Sequence, residues 1–161
     1  MAAALTTLTA LSIIGLAASL VLAFAATAPA DVARHVLLGV FATMLNLLAH
    51  SMMIFYMIGK GKAVREAVTE GALSLDYVSR VARLRAPVFP RATLAMALTM
   101  AAAIIGASVD VRVLPSWPHA ALAVAAIAAN LYALAAEIAA LSGSARVVDE
   151  VNARLSDVPR I

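Results

Sequence analysis

The chain has 161 residues, 64% of them hydrophobic and only 13% charged, with a mean hydropathy of +0.97. A soluble domain is usually about half apolar and a quarter charged, so this composition excludes an ordinary water-soluble fold. The net charge of +3 does not signal nucleic-acid binding, because the basic residues cluster at the ends of apolar runs, as membrane insertion requires. The lack of cysteine excludes disulfides, thiolate catalysis and Cys-ligated metal centres.

Four stretches carry no formal charge: Met1 to Ala30, Val36 to Gly59, Ala92 to Val109, and Val113 to Ala136. Crossing ~30 Å of hydrocarbon takes ~20 apolar residues, and in lipid the backbone must satisfy its own hydrogen bonds. The sequence therefore predicts an all-α fold, an integral membrane up-down four-helix bundle forming a single domain. The predicted spans are 4–27, 35–59, 91–109 and 119–142, with a helical cytoplasmic loop at 60–90 and a cytoplasmic tail at 143–161. The first span ends in "AFAATAPA", whose small residues would suit signal-peptide cleavage. No positive n-region precedes it and the apolar run is longer than a usual h-region, so it is read as a retained span.

Two short connections, "APADVARH" and "DVRVLPSWPH", are marked by Pro29, Pro115 and Pro118, which suit turns and first helical turns. Trp117 has the interfacial preference of an indole. The connection from Lys60 to Arg91 holds Lys60, Lys62, Arg65, Arg80, Arg83, Arg85 and Arg91, and the tail adds Arg146, Arg154 and Arg160. Only Arg34 and Arg112 lie on the other side, ten against two. This bias predicts a multi-pass protein of the bacterial inner (plasma) membrane with both termini cytoplasmic.

The inner connection "GKAVREAVTEGALSLDYVSRVARLRAPVFP" reads as two short helices. The first continues the second span with Val64, Ala67 and Val68 on one face and stops at Gly71. The second starts at a Ser74 N-cap, presents Val78, Val81 and Ala82, and ends at Pro87 and Pro90. The tail repeats the idea with Val147, Val148, Val151 and Leu155. These extensions are expected to cap the bundle; packing on each other, lying on the membrane surface and docking a partner are the other roles open to them. "GKGK" at 59–62 lacks the spacing of a phosphate-binding loop and is read as a helix exit.

Polar groups inside a span are costly and tend to face the bundle interior. Asn46, His50, Met53 and Met57 form one stripe on the second span. Met96 and Met100 pair on the third, and Asn130 and Glu137 share a face of the fourth, with Tyr56 a further polar group. The three stripes are expected to look inward at each other. The plainest role for His50 is a hydrogen bond to Asn46, Asn130 or Tyr132; the sharper one is a proton relay or a quinone-headgroup contact. Glu137 is expected to pair with Lys60 or another basic residue near the interface, or to join His50 in a proton path.

His50 lies 15 residues beyond His35, about 22 Å along the axis at ~1.5 Å per residue. His35 and His119 instead share one depth at the outer edge. They are candidate axial ligands of a haem b, or else interfacial residues bonding water and headgroups. His50 is a third haem candidate that would need a Met ligand or a second protomer. His50 with Met53, Met57, Met96 and Met100 is also a candidate soft copper(I) site, although Met commonly fills irregular cores.

A shift of 84 positions lays "HVLLGVFATMLNLLA" (35–49) on "HAALAVAAIAANLYA" (119–133), matching His35 with His119 and Asn46 with Asn130. The two halves then form a parallel repeat about an axis along the membrane normal. The Ala-rich fourth span permits close helix approach, within the chain or in a homo-oligomer.

"AHSMMIFYMIGKGK" with "FPRATLAMALTM" resembles an uncharacterised family of small four-span bacterial membrane proteins, over most of the chain. The resemblance implies the fold and location and carries no activity or site. Four-span glutathione-transferase-like membrane enzymes use clusters of Arg, Asn and Glu, and no such cluster surrounds His50. The functional expectation is an oligomeric or accessory membrane subunit with an internal polar site, binding haem b or quinone for electron transfer. A proton or soft-metal-ion carrier and a purely structural subunit are the alternatives.

Overall fold

A computed structural model describes residues 1–156; Arg160, expected in the tail, lies outside them. The described residues form five α-helices and no strand: α1 (Ala2–Ala25), α2 (Pro29–Glu70), α3 (Asp76–Arg85), α4 (Val88–Asp110) and α5 (Ser116–Ser156). Four stretches are long and apolar enough to cross a membrane: α1, α2, α5, and α4 together with the α3 that leads into it.

The expected boundaries shift in one instructive way. α2 runs through Gly59-Lys60-Gly61-Lys62 without a break, so "GKGK" is not a helix exit. Glycine costs a helix interior only about 1 kcal/mol, and the 42-residue helix is held by packing on both sides of that sequence. In the same way α5 carries the expected fourth span and the tail as far as Ser156 in one 41-residue rod. Pro29 opens α2, and Asp31 accepts hydrogen bonds from the Thr27 and Ala28 amides at its start. α2 stops at Gly71 in a Schellman turn, with the Leu73 amide donating to the Val68 carbonyl and Ala72 at φ 49°. Ser74 accepts from the Asp76 amide at 3.2 Å and so helps to start α3, and Pro87 and Pro90 open α4.

Contacts between α1 and α2 pair Ser19 with His35, Gly15 with Ala42, and Ser12 with Asn46, which fixes an antiparallel hairpin. α4 and α5 make a second one, with His119 against Gly106 and Ala102, and Asn130 against Thr99. α1 also lies on α5, α4 on α2, and α3 between α2 and α5. α2 and α5 run parallel and meet across the centre through polar side chains.

The distribution of side chains is inverted relative to a soluble protein. Thr9, Ser12, Ser19, Asn46, His50, Thr99, Asn130, Glu137 and Ser144 are buried, whereas Leu37, Phe41, Met44, Phe55, Ile104 and Leu131 face outward. Buried apolar packing is concentrated toward the α3 end. One cluster holds Leu5, Met53, Met57, Val88, Ala136 and Ala140. A second joins the α2 and α5 extensions to α3 through Val64, Val68, Val81, Val147 and Val151. The expected cap on the bundle is therefore built mainly by valines under α3.

Candidate functional site

The interior polar groups form a ladder between α2 and α5. Each rung places a side chain from one helix opposite one from the other. Nearest the helix turns, the His35 and His119 rings lie edge to face, 5.9 Å between centroids. His35 Nδ1 is 2.8 Å from the Ser19 carbonyl, and His119 Nδ1 is 2.9 Å from the Ala102 carbonyl. A carbonyl only accepts, so in the neutral rings Nδ1 carries the proton and each Nε2 keeps its lone pair. Both rings line a cavity of about 130 Å³ that also touches Asp110, Gly39 and Thr99.

The next rung is a direct amide contact: Asn46 Nδ2 donates to Asn130 Oδ1 at 2.6 Å and to Ser12 Oγ at 3.1 Å. Asn130 Nδ2 donates to Thr99 Oγ1 at 3.0 Å and to the Ala126 carbonyl at 2.8 Å. The Ala126 carbonyl fixes the orientation of the Asn130 amide, because only Nδ2 can donate to it. Its oxygen must then face Asn46 and His50. Asn46 Oδ1 has no hydrogen-bond partner among the described residues, although it is buried.

His50 and Glu137, both at 0% exposure, make the third rung. His50 Nε2 is 2.8 Å from Asn130 Oδ1, and Nδ1 is 2.7 Å from Glu137 Oε1. Since Asn130 Oδ1 only accepts, Nε2 carries a proton. A second proton must lie between Nδ1 and Oε1, on one side or the other. Whichever atom holds it, the pair is neutral overall: an imidazolium with a carboxylate, or an imidazole with a carboxylic acid. That neutrality is what makes its burial affordable. Glu137 Oε2 accepts from Thr9 Oγ1 at 3.4 Å. Beyond the pair, Met53, Met57, Ala136 and Ala140 close the α3 side with apolar packing.

The expected site residues divide accordingly. Asn46, His50, Asn130 and Glu137 converge. His35 and His119 meet each other but not His50. Glu137 does not pair with Lys60, whose ammonium lies 5.8 Å over the Tyr56 ring while Tyr56 packs on the Met53 cluster. Tyr132 is not a partner of His50; it is exposed, with the Arg91 guanidinium 4.0 Å above its ring. The inward stripe of α4 is Val88, Ala92, Ala95, Thr99 and Ala102, not the Met96–Met100 pair.

Met100 faces outward and Met96 accepts a long contact from Ser51 at 3.8 Å, so the methionines do not assemble around His50. Both His50 nitrogens are engaged, which leaves none for iron, copper or a quinone headgroup in this arrangement. No group of three metal-ligating His, Asp or Glu side chains occurs among the described residues. Sequence reasoning passed over Thr9, Ser12, Ser19 and Thr99. The signal was the hydroxyl spacing in α1: Thr9, Ser12 and Ser19 recur at helical intervals on one face of an otherwise apolar run.

A register of 84 recurs through the site. It relates Asn46 to Asn130 and His35 to His119, each pair in contact. It also relates His50 to Leu134 and Glu137 to Met53, so neither member of the His50–Glu137 pair has a like residue in the other half. Comparison with known protein families, curated proteins and solved structures finds no match to this chain.

Proposed function

We propose that the chain is a four-span, up-down membrane bundle of the bacterial inner membrane, with both termini cytoplasmic, whose core binds and releases a proton at His50 and Glu137. The membrane reading is supported by the inverted side-chain distribution. Exposed Leu, Phe and Ile would cost free energy in water and cost nothing against lipid. The orientation is supported by the ten-to-two bias of basic residues.

One observation carries the proton reading: His50 Nδ1 and Glu137 Oε1, both fully buried, lie 2.7 Å apart. Ionisable pairs inside a membrane bundle characteristically mark proton pathways. The cavity at the turn end reaches Thr99, which binds Asn130, which binds His50. Polar groups thus lead from one surface to the pair, while the methionine cluster seals the other side. The device is therefore a carrier that must change shape to exchange its proton, not an open channel. Reconstitution into liposomes with an internal pH dye tests it. A pH step should give flux for wild type, with His50→Leu and Glu137→Gln reduced to background. Equal rates in wild type and both variants sink the proposal.

A second reading, electron transfer through haem b, rests on His35 and His119. Their Nδ1 groups are held by main-chain carbonyls, the support that metal-ligating histidines commonly use. A cavity of about 130 Å³ holds several waters, not a porphyrin, so the hairpins would have to part. Absorbance of protein expressed with added haem decides it. A Soret band lost in His35→Ala and His119→Ala supports haem, and a featureless visible spectrum removes it.

A further inference from the structure

The 84-residue register extends beyond the polar ladder into the α2 and α5 extensions, and there it exposes an unfilled position. α3 docks on a seat formed by Val64 and Val68 of α2 and Val147 and Val151 of α5. Leu84 of α3 lies so close to Gly143 that a Cβ there would come within 2.7 Å of it. Arg80 of α3 clamps Glu150, with its second nitrogen at 2.8 Å from Glu150 Oε1.

Each α2 and α5 residue of this seat has a counterpart 84 positions away on the other long helix. Gly143 corresponds to Gly59, Glu150 to Glu66, and Val147 and Val151 to Ala63 and Ala67, while Val64 and Val68 correspond to Val148 and Asn152. Among the described residues no helix is docked on the Gly59 side. A Cβ at Gly59 would meet nothing within 4 Å. Gly59, Ala63, Val64, Ala67, Val148 and Val151 instead line a groove of about 510 Å³, with Lys60 and Asn152 also on its walls. Glu66 is well exposed and, among the described residues, pairs only with Lys62, one turn away at 3.6 Å.

We propose that this groove is a docking site for one amphipathic helix of a partner polypeptide, taking the place that α3 occupies on the opposite face. The chemistry of the occupant follows from the filled seat. An aliphatic side chain drops onto Gly59 as Leu84 does onto Gly143. An apolar face covers Ala63, Ala67 and Val148. A basic residue meets Glu66 as Arg80 meets Glu150, and an acidic one meets Lys60. A helix laid into an apolar groove with flanking charges is a general mode of recognition. The proposal does not depend on how the core handles protons.

The chain lacks cysteine, so an introduced pair gives an unambiguous cross-link. A second copy of residues 74–86 serves as the probe, joined by a flexible Gly/Ser linker to Met1 of the full chain. Leu5 and Tyr56 share a cluster and Tyr56 lines the groove, which places the chain start close to it. With Gly59→Cys in the body, the probe carries cysteine at its Leu84 position or, as control, at its Arg83 position. Arg83 lies on the exposed side of α3. The expected result is disulfide formation at least about tenfold faster at the Leu84 position, because docking raises the local concentration of that face alone. Ala63→Cys repeats the test if Gly59→Cys does not fold by circular dichroism.

Equal rates at both probe positions overturn the proposal. So does a Gly59→Cys disulfide homodimer formed without the probe, which would make a second copy the occupant. Phospholipid that co-purifies with wild type and is lost in Gly59→Trp would assign the groove to lipid instead.

Discussion

Replacing His50 and Glu137 separately and together isolates what the buried pair contributes. The register of 84 suggests the replacements, because Leu134 and Met53 already occupy the equivalent positions. His50→Leu leaves the Glu137 carboxyl buried with only the 3.4 Å contact from Thr9. Glu137→Met leaves His50 Nδ1 without its 2.7 Å partner. Removing one member of a buried pair typically costs about 3–5 kcal/mol, because the survivor stays in a medium that does not solvate it. In the double variant neither group remains. Asn130 Oδ1 still accepts from Asn46, and Thr9 still donates to the Leu5 carbonyl at 3.2 Å, so no new polar group is orphaned. The double variant should therefore fall within about 1–2 kcal/mol of wild type, or exceed it. The assay is reversible unfolding in mixed micelles of increasing SDS fraction, followed by far-ultraviolet circular dichroism. The predicted coupling is about 3 kcal/mol or more. Additive losses in the double variant would refute the reasoning, and would mean that the two residues act through separate contacts.

Ala72 sits at φ 49° in the turn after α2, where a side chain is strained, so Ala72→Gly should stabilise the protein by about 1 kcal/mol in the same unfolding assay. Gly59→Ala should gain about 0.5–1 kcal/mol from helix propensity, whereas Gly143→Ala should gain less or lose, since its Cβ would press on Leu84. The hydrogen bond from Arg80 holds the Glu150 carboxyl below its ordinary range and holds the Arg80 guanidinium above its own. The lowered carboxyl gives α3 docking a contribution that is complete above the ordinary carboxylate pKa of about 4 and is lost as pH falls through the folded value. Proteolysis of the turn between α2 and α3 should quicken across that acid range in wild type, and Glu150→Gln should remove this pH dependence.

Much of the fold was legible because its causes are local. Uncharged runs gave the four long apolar helices, and Pro29 and Gly71 marked real ends of α2. The convergence of Asn46, Asn130, His50 and Glu137 was legible as well, because rare polar residues in apolar helices have few places to go. What escaped was set by packing. "GKGK" looks like an exit, yet α2 continues because Val64 and Val68 are packed beyond it. Met96 and Met100 have helical spacing but do not share an inward face, since the small residues of α4 permit closer approach at the interface. Glu137 looked close enough to the surface to reach Lys60. The choice of His50 depended on which residue of α2 sits at its depth across the bundle, and pairing between helices decides that.

The central claim is that one proton sits on His50 Nε2 and a second lies between Nδ1 and Glu137. Nitrogen-15 solid-state NMR of histidine-labelled protein in lipid bilayers reads both sites at once. The account predicts a protonated Nε2 on His50, with an Nδ1 resonance that shifts to that of a ring without the shared proton in Glu137→Met. An Nε2 resonance of unprotonated type would contradict it, because Asn130 Oδ1 would then face a lone pair and the ladder between α2 and α5 would lose its central rung.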